Sequence, residues 1–181
     1  MKGEASTGDL RKSLKIDEEE VVMSERKGHQ GHRGDLVKVG DCQLFLGGAM
    51  YRPFLNLECY DIVISFLEVV PARVINAVTR EFRHYPIPDF GGVPDDWTEF
   101  LAEVVRELKA GRKVIGFCMG GHGRTGTFLA SLIALLEPEI EDPITEARIR
   151  YCEHAVEMRA QAEAVFALKG QPLPVEYTNF G

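Results

Sequence analysis

The sequence lacks any apolar run close to the roughly 20 residues that a transmembrane helix needs. Its N-terminus, MKGEASTGDLRKS, also lacks the apolar core of a signal peptide. There is no excess of positive charge, since the net charge is -7. These absences argue against a membrane partner and against a surface built to bind nucleic acid or anionic lipid. We therefore expect an intracellular, cytoplasmic protein.

Cysteine is scarce, and its spacing excludes two further classes of protein. The chain has four cysteines, which are too few and too irregularly spaced for a disulfide framework: Cys42, Cys59, Cys118 and Cys152. No CxxC motif is present, and no cysteine and histidine stand at zinc-ligand spacing. We expect free thiols, no metal and no cofactor.

The chain of 181 residues is long enough for one sizeable core and short for two. Residues 1–38 mix charges of both signs without lasting periodicity, which predicts an N-terminal extension that is flexible or loosely docked. Residues 39–170 carry the regular patterns of a folded domain, and residues 171–181 form a C-terminal tail. We expect one folded domain.

Strands and helices alternate in the first two thirds of that domain. Short apolar runs bounded by Gly, Pro or Asp predict strands at 42–48, 60–70, 81–88 and 113–118. The helical spacing of apolar residues from Trp97 to Leu108 predicts an amphipathic helix. The next helix, over TGTFLASLIALLE, is apolar on nearly every side and therefore runs through the core.

Two helix starts have recognisable caps. Asp96 and Glu99 have the form of a capping box, and Asp142 followed by Pro143 occupies N-cap and first-turn positions. After Asp142 the sequence predicts one or two helices that continue to Gly170. Together these patterns predict an α/β fold, in which a central, mostly parallel sheet is covered by helices on both faces.

The stretch FCMGGHGRTG at 117–126 carries the chemistry. Within it, GHGRTG fits the G-x-G-x-x-G pattern of a dinucleotide-binding turn. That fold needs a second strand after the helix, yet only 55 residues follow Gly126 and they read as helix. A plain glycine bend beside a buried cysteine is a further alternative.

A second pattern in the stretch places Cys118 six positions before Arg124. A tight loop between a strand and a helix turns backbone N–H groups and the positive end of the helix dipole toward a tetrahedral dianion. Arg124 can grip two phosphate oxygens, and the same positive surroundings favour the nucleophilic thiolate of Cys118. Thr125 can donate a hydrogen bond to that thiolate when it leaves. The remaining loop residues, predicted to contact the phosphate, are Met119, Gly120, Gly121, His122 and Gly123.

The loop resembles the HCxxGxGR[ST]G signature of the CX5R cysteine-dependent phosphatases, in particular the small dual-specificity and protein-tyrosine phosphatase-like type. YPIPDFGGVPDDW resembles the general-acid loop of that family, and VEMRAQAEAVF resembles its helical end, so that the resemblance covers residues 39–170. It implies a protein-tyrosine phosphatase-like fold and a hydrolase that forms a phosphocysteine intermediate on a phosphorylated protein. It also implies a general acid, for which we select Asp89; a turn residue is the simpler alternative for Asp89, and Asp95 and Asp96 fit better as helix caps.

The sequence departs from the signature at one position, because Phe117 stands where the family has histidine. The substitution predicts a less acidic Cys118, and it leaves open a pseudophosphatase that binds phosphate without turnover. The loop has no lysine, which argues against multiply phosphorylated lipid headgroups and favours phosphotyrosine, with phosphoserine and phosphothreonine open. His122 faces either the ligand or the solvent. An RNA 5′-phosphatase is the rival enzyme, should the arginines gather on one face: Arg73, Arg80, Arg83 and Arg112.

Overall fold

The computed structural model describes residues 32–50 and 57–181 of the chain. The strands are β1 (Arg33–Val39), β2 (Cys42–Gly48), β3 (Ile62–Ser65), β4 (Glu81–His84) and β5 (Val114–Cys118). The helices are α1 (Ala72–Ala77), α2 (Trp97–Lys109), α3 (Gly123–Leu136), α4 (Pro143–Arg150) and α5 (Arg159–Leu168). Two short 3-10 helices lie at Leu57–Cys59 and Val175–Tyr177.

The described strands form a single sheet in the order β1-β2-β5-β3-β4. The pairs β2–β5, β5–β3 and β3–β4 are parallel, and only β1 pairs antiparallel, with β2. The middle strand β5 is buried along its whole length, as its apolar sequence VIGFC requires. The predicted α/β class and mostly parallel sheet are therefore confirmed.

Helices cover both faces of this sheet. One face packs against α2, α3, α4 and α5 around a large core that includes Trp97, Phe128 and Phe166. The other face packs against α1 and the first 3-10 helix around a smaller core that includes Leu57, Val74 and Phe117. In the described part of the chain, no helix combines the length and apolar composition that crossing a bilayer requires.

The sheet begins and the core ends outside the predicted domain limits of 39 and 170. β1 starts at Arg33, inside the segment expected to be an extension; residues 1–31 of that segment lie outside the described residues. Gly34 and the exposed charged residues of β1 hide its strand pattern in the sequence, since this edge strand has a polar outer side. In the predicted tail, Tyr177 is buried in the large core and its hydroxyl donates to Asp142 at 2.5 Å.

One predicted cap forms and the other does not. The carboxylate of Asp142 accepts hydrogen bonds from the N–H groups of Ile144 and Thr145, both at 3.0 Å, which confirms the start of α4. The capping box at Asp96 is wrong: its side chain makes no cap hydrogen bond and accepts one from the hydroxyl of Tyr85 at 2.6 Å. Tyr85 stacks on Phe100 of α2, which brings that hydroxyl within reach.

A buried carboxylate connects the end of α3, the β1–β2 turn and α4. It lies at one end of the sheet, and the loop that follows Cys118 lies at the other. Glu137 follows α3 and is 8% exposed. It accepts from the Gly40 N–H in the β1–β2 turn at 2.5 Å and from both terminal nitrogens of Arg150 in α4 at 2.7 and 2.6 Å. The hydrogen bonds from Arg150 and Gly40 outweigh desolvation and lower the pKa of Glu137 below its usual 4.5.

Replacing this carboxylate should destabilise the fold. We expect Glu137→Gln to lower the free energy of unfolding by about 2 kcal/mol near pH 7, because it removes the more buried of the two carboxylates that pair with Arg150 and leaves only Glu146. Since the folded pKa of Glu137 is lowered, its contribution is present above pH 4.5 and is lost as the pH falls further. Urea unfolding measures this free energy for both proteins at pH 7 and pH 3.5. The difference between the wild type and Glu137→Gln should be smaller at pH 3.5.

The matched control is Glu163→Gln, which breaks the exposed pair between Glu163 and Arg159 on α5. An exposed pair of this kind contributes about 0.5 kcal/mol or less. If the two substitutions lowered the free energy of unfolding equally, Glu137 would contribute no more to stability than an exposed ion pair does.

Candidate active site

The motif forms a loop whose backbone is held against the end of β2. β5 ends at Cys118 and α3 begins at Gly123. Backbone pairing continues beyond β2, since the N–H of Ala49 donates to the carbonyl of Cys118 at 2.8 Å and that of Met50 to Met119 at 3.0 Å. A Cβ atom placed on Gly48 would lie only 2.7 Å from backbone atoms of Gly120. The loop therefore has little freedom to move toward β2.

Cys118 lies at the base of this loop and is 3% exposed. Its sulfur accepts a hydrogen bond from the N–H of Gly121 at 3.3 Å. Gly121 has a φ of 79°, which only glycine adopts readily, and this conformation turns its N–H inward. The N-terminus of α3 follows directly, so its dipole adds positive potential beside the sulfur.

Arg124 belongs to the first turn of α3 and is 6% exposed. Its guanidinium donates to the carbonyl of Ile87 at 3.2 Å and forms an ion pair with Asp89, with 3.0 Å between Nη2 and Oδ1. The Asp89 side chain is 57% exposed and lies on the loop between β4 and α2. The structure thus brings the predicted acid to the predicted phosphate-binding arginine from a distant part of the sequence.

These groups line one small pocket of about 190 Å³. The predicted residues in its wall are Asp89, Cys118, Met119, Gly120, His122, Gly123 and Arg124. Gly121 contributes through its N–H to the sulfur. The predicted Thr125 is fully buried outside this lining, and its hydroxyl donates to the carbonyl of Gly47 at 3.4 Å.

Sequence reasoning missed three residues of the pocket: Phe90, Glu157 and Gln161. Phe90 is 67% exposed with a φ of 56°, so its ring is held at the rim by a left-handed backbone conformation. Gln161 is buried, and its side-chain oxygen accepts from the N–H of Glu157 at 3.1 Å. A polar residue on the apolar side of α5 was the available signal for Gln161; Glu157 had none.

Phe117 has a packing role in this structure. Neighbouring residues of a strand point to opposite faces, so Phe117 lies in the smaller core while Cys118 adjoins the large one. The loop instead receives a polar support from Tyr151, whose hydroxyl donates to the carbonyl of Gly121 at 2.6 Å. Tyr151 therefore holds the same peptide region that presents an N–H to Cys118.

Two histidines and a cysteine lie behind the loop. His122 Nδ1 lies 3.3 Å from the sulfur of Cys152, and the His32 ring is 4.3 Å from the ring of Tyr151 and 5.1 Å from that of His122. Burial alone lowers the pKa of His32, but hydrogen bonds with Asp35 and Cys152 outweigh it and raise the pKa to about 9. The back of the loop is thus a packed polar layer.

A larger groove of about 600 Å³ lies at the other end of the sheet, beside the β1–β2 turn and the C-terminal ends of α2 and α3. We place the candidate site at the smaller pocket, because Cys118, Arg124 and Asp89 meet there. Its thiol, inward N–H and buried guanidinium can together hold a tetrahedral oxyanion in front of a nucleophile.

The chain is similar to several known proteins, although no protein-family model matches it. It is 39% identical over 83 residues to the uncharacterised protein MJECL20 of Methanocaldococcus jannaschii, which covers 45% of this chain and 55% of that protein. It is 30% identical over 99 residues to the "Putative tyrosine phosphatase 067L" of Invertebrate iridescent virus 3, covering 51% of this chain and 37% of the viral protein. The chain thus spans about half the length, or less, of the curated relatives it matches.

Solved structures define the fold more completely. The structure of Tk-PTP in its active form matches with a TM-score of 0.58 and 22% identity, over 76% of this chain and 97% of that one. Kinase associated phosphatase, with its catalytic-site cysteine replaced by serine, matches with a TM-score of 0.60 and 18% identity, over 80% and 94%. The protein has the fold of the protein-tyrosine and dual-specificity phosphatases, and at the level of the fold the resemblance predicted from the loop is confirmed.

The support from Tyr151 can be tested by anion binding. Tyr151→Phe should weaken the binding of vanadate, a phosphate analogue, by about fivefold, because one hydrogen bond contributes about 1 kcal/mol. Tyr177→Phe is the matched control, since it removes a buried hydroxyl that donates to Asp142 at the N-terminal end of α4, whereas Tyr151 lies at its C-terminal end. Titration calorimetry should show weaker binding only for Tyr151→Phe; equal affinities for both variants would contradict the assignment.

Proposed function

We propose that this protein is a cysteine-dependent phosphomonoester hydrolase that acts on phosphotyrosine in proteins, with phosphoserine and phosphothreonine as further candidate substrates. One observation carries the proposal. The sulfur of Cys118, the guanidinium of Arg124 and the carboxylate of Asp89 line the same small pocket, and the last two are 3.0 Å apart.

Binding of the phosphate would use the loop as a cradle. The inward N–H of Gly121, the N-terminus of α3 and Arg124 all favour a dianion. In this structure the carboxylate of Asp89 pairs with the guanidinium of Arg124. Phosphate would replace this carboxylate as the partner of Arg124, which frees Asp89 to approach the leaving oxygen.

In the first chemical step, the thiolate of Cys118 attacks phosphorus and the bond from phosphorus to the leaving oxygen breaks. Asp89 gives its proton to that oxygen, so the dephosphorylated residue leaves as a neutral hydroxyl group. The product on the enzyme is a cysteinyl-phosphate.

In the second step, Asp89 takes a proton from water as the water oxygen attacks phosphorus, and the sulfur leaves as a thiolate. We assign to Thr125 a hydrogen bond that stabilises this thiolate. Its contact with Gly47 is long, at 3.4 Å, so little is lost when the hydroxyl turns toward sulfur.

The rim supports a preference for phosphotyrosine. The exposed ring of Phe90 stands beside Asp89, where it can contact an aromatic ring carried above the phosphate. Glu157 also lines the pocket, and its negative charge disfavours a second phosphate on the substrate.

The arginines invoked for an RNA 5′-phosphatase are largely paired with carboxylates. Arg80 pairs with Asp61, while Arg83 and Arg112 each pair with both Glu81 and Glu107. A paired arginine offers little charge to an RNA backbone, so this observation favours a protein substrate.

The first test is hydrolysis of p-nitrophenyl phosphate between about pH 4.5 and 8 in the presence of EDTA. The wild-type protein should turn the substrate over, because the proposed chemistry uses only side chains and water. Cys118→Ser should abolish turnover while vanadate still binds. Turnover by Cys118→Ser would refute the nucleophile, whereas wild-type protein that binds vanadate without turnover would identify a phosphate-binding pseudophosphatase.

The second test concerns Asp89. Asp89→Asn should lower kcat by on the order of 10²-fold, because the leaving oxygen loses its proton donor. The same substitution should tighten vanadate binding by up to about fivefold, because the carboxylate no longer competes for Arg124. Steady-state kinetics and calorimetry on one protein preparation measure both.

Asp95→Asn is the matched control, since Asp95 is an exposed carboxylate in the same connection between β4 and α2. It should change neither kcat nor the affinity for vanadate. If Asp96→Asn lowers kcat instead of Asp89→Asn, the general acid has been assigned to the wrong carboxylate.

A further inference from the structure

Three side chains from separate parts of the chain meet behind the loop. His32 precedes β1, His122 belongs to the loop, and Cys152 lies between α4 and α5. One ligand atom from each of the three, a ring nitrogen or the sulfur, lies within 4.8 Å of the others. Two imidazoles and a thiol are a donor set that suits a thiophilic divalent cation.

The spacing is close to what such a cation needs. Ligand atoms around tetrahedral zinc lie about 3.3–3.6 Å apart, given bond lengths of about 2.0 Å to nitrogen and 2.3 Å to sulfur. The 3.3 Å between His122 Nδ1 and the Cys152 sulfur already has this value. The ligand atoms of the cluster lie within 4.8 Å of one another. Side-chain rotations that move the ring nitrogen of His32 by about 1 Å would bring it to the same spacing.

The surroundings of His32 match those of a metal ligand. Its Nδ1 lies 2.7 Å from the carboxylate of Asp35, an arrangement that fixes the ring and directs the opposite nitrogen away from that carboxylate. Cys152 and His32 are 5% and 7% exposed, so solvent competes little for the cation. The ring centroid of His154 is 5.9 Å from that of His122. His154 and a water molecule are therefore the two candidates for the fourth ligand of the cation.

We propose that His32, His122 and Cys152 form a binding site for a thiophilic divalent cation of the zinc type, which lies behind the catalytic pocket and shares His122 with its wall. The cation would cross-link the loop, the segment before β1 and the α4–α5 connection. It would stabilise the position of the loop and take no part in phosphoryl chemistry. The sequence contains no zinc-ligand spacing because the three ligands are far apart along the chain.

Cobalt binding tests the site directly, with full-length Cys118→Ser protein so that the nucleophilic thiol cannot act as a ligand. The reduced, metal-stripped protein should bind one Co²⁺ per chain. The spectrum should show a thiolate-to-cobalt charge-transfer band together with the intense visible bands of tetrahedral cobalt. Added Zn²⁺ should remove both by displacement.

Variants in the same background locate the ligands. Cys152→Ser should abolish the charge-transfer band, while Cys42→Ser, which replaces a buried thiol outside the cluster, should keep it. Asp35→Asn should keep the band but weaken Co²⁺ binding by about 10- to 100-fold, because it removes only the partner of His32. Circular dichroism would show which variants fold.

Three results would overturn the proposal: no charge-transfer band in the Cys118→Ser protein, a band that survives Cys152→Ser, or a band that Cys42→Ser removes. The first result would mean that the cluster is only a hydrogen-bonded support for the loop. Should Cys152→Ser fail to fold, His32→Gln decides, since unchanged Co²⁺ affinity in that variant would equally refute the site. None of these readouts depends on turnover, so the site stands or falls independently of the proposed phosphatase activity.

Discussion

The site depends on the parallel pairing of β2 with β5, which continues past the last residue of each strand. Because the N–H groups of Ala49 and Met50 bind the carbonyls of Cys118 and Met119, the loop leaves the sheet in one fixed direction. Close contact between Gly48 and Gly120 allows no side chain between them. The inward N–H of Gly121 and the start of α3 follow from that direction.

The second constraint is electrostatic. A loop that gathers N–H groups, a helix N-terminus and a buried guanidinium concentrates positive potential in a small volume. In this structure Asp89 compensates part of it through its ion pair with Arg124. The carboxylate that pairs with Arg124 is the one to which we assign the proton transfers of the proposed reaction. One ion pair thus links the geometry of the pocket to the proposed chemistry.

Much of the fold was predictable because its signals are local. The apolar runs at 42–48 and 113–118 form buried parallel strands, and Asp142 with Pro143 starts α4 as expected. β1 was missed because its outer residues are polar, and the cap at Asp96 failed because Tyr85 draws that carboxylate away from the backbone. A local sequence pattern cannot show that a side chain such as Tyr85, from another part of the chain, will compete for the capping carboxylate.

The sequence by itself determined the α/β class and placed Cys118 and Arg124 in one loop, since a cysteine, five intervening residues and an arginine between a strand and a helix are held together by chain connectivity. Only the tertiary structure decided what surrounds that loop. Asp89 reaches Arg124, Tyr151 supports Gly121, and His32 meets Cys152 through the packing of elements far apart in the chain. Such contacts depend on strand order and helix placement, which no short spacing in the sequence encodes.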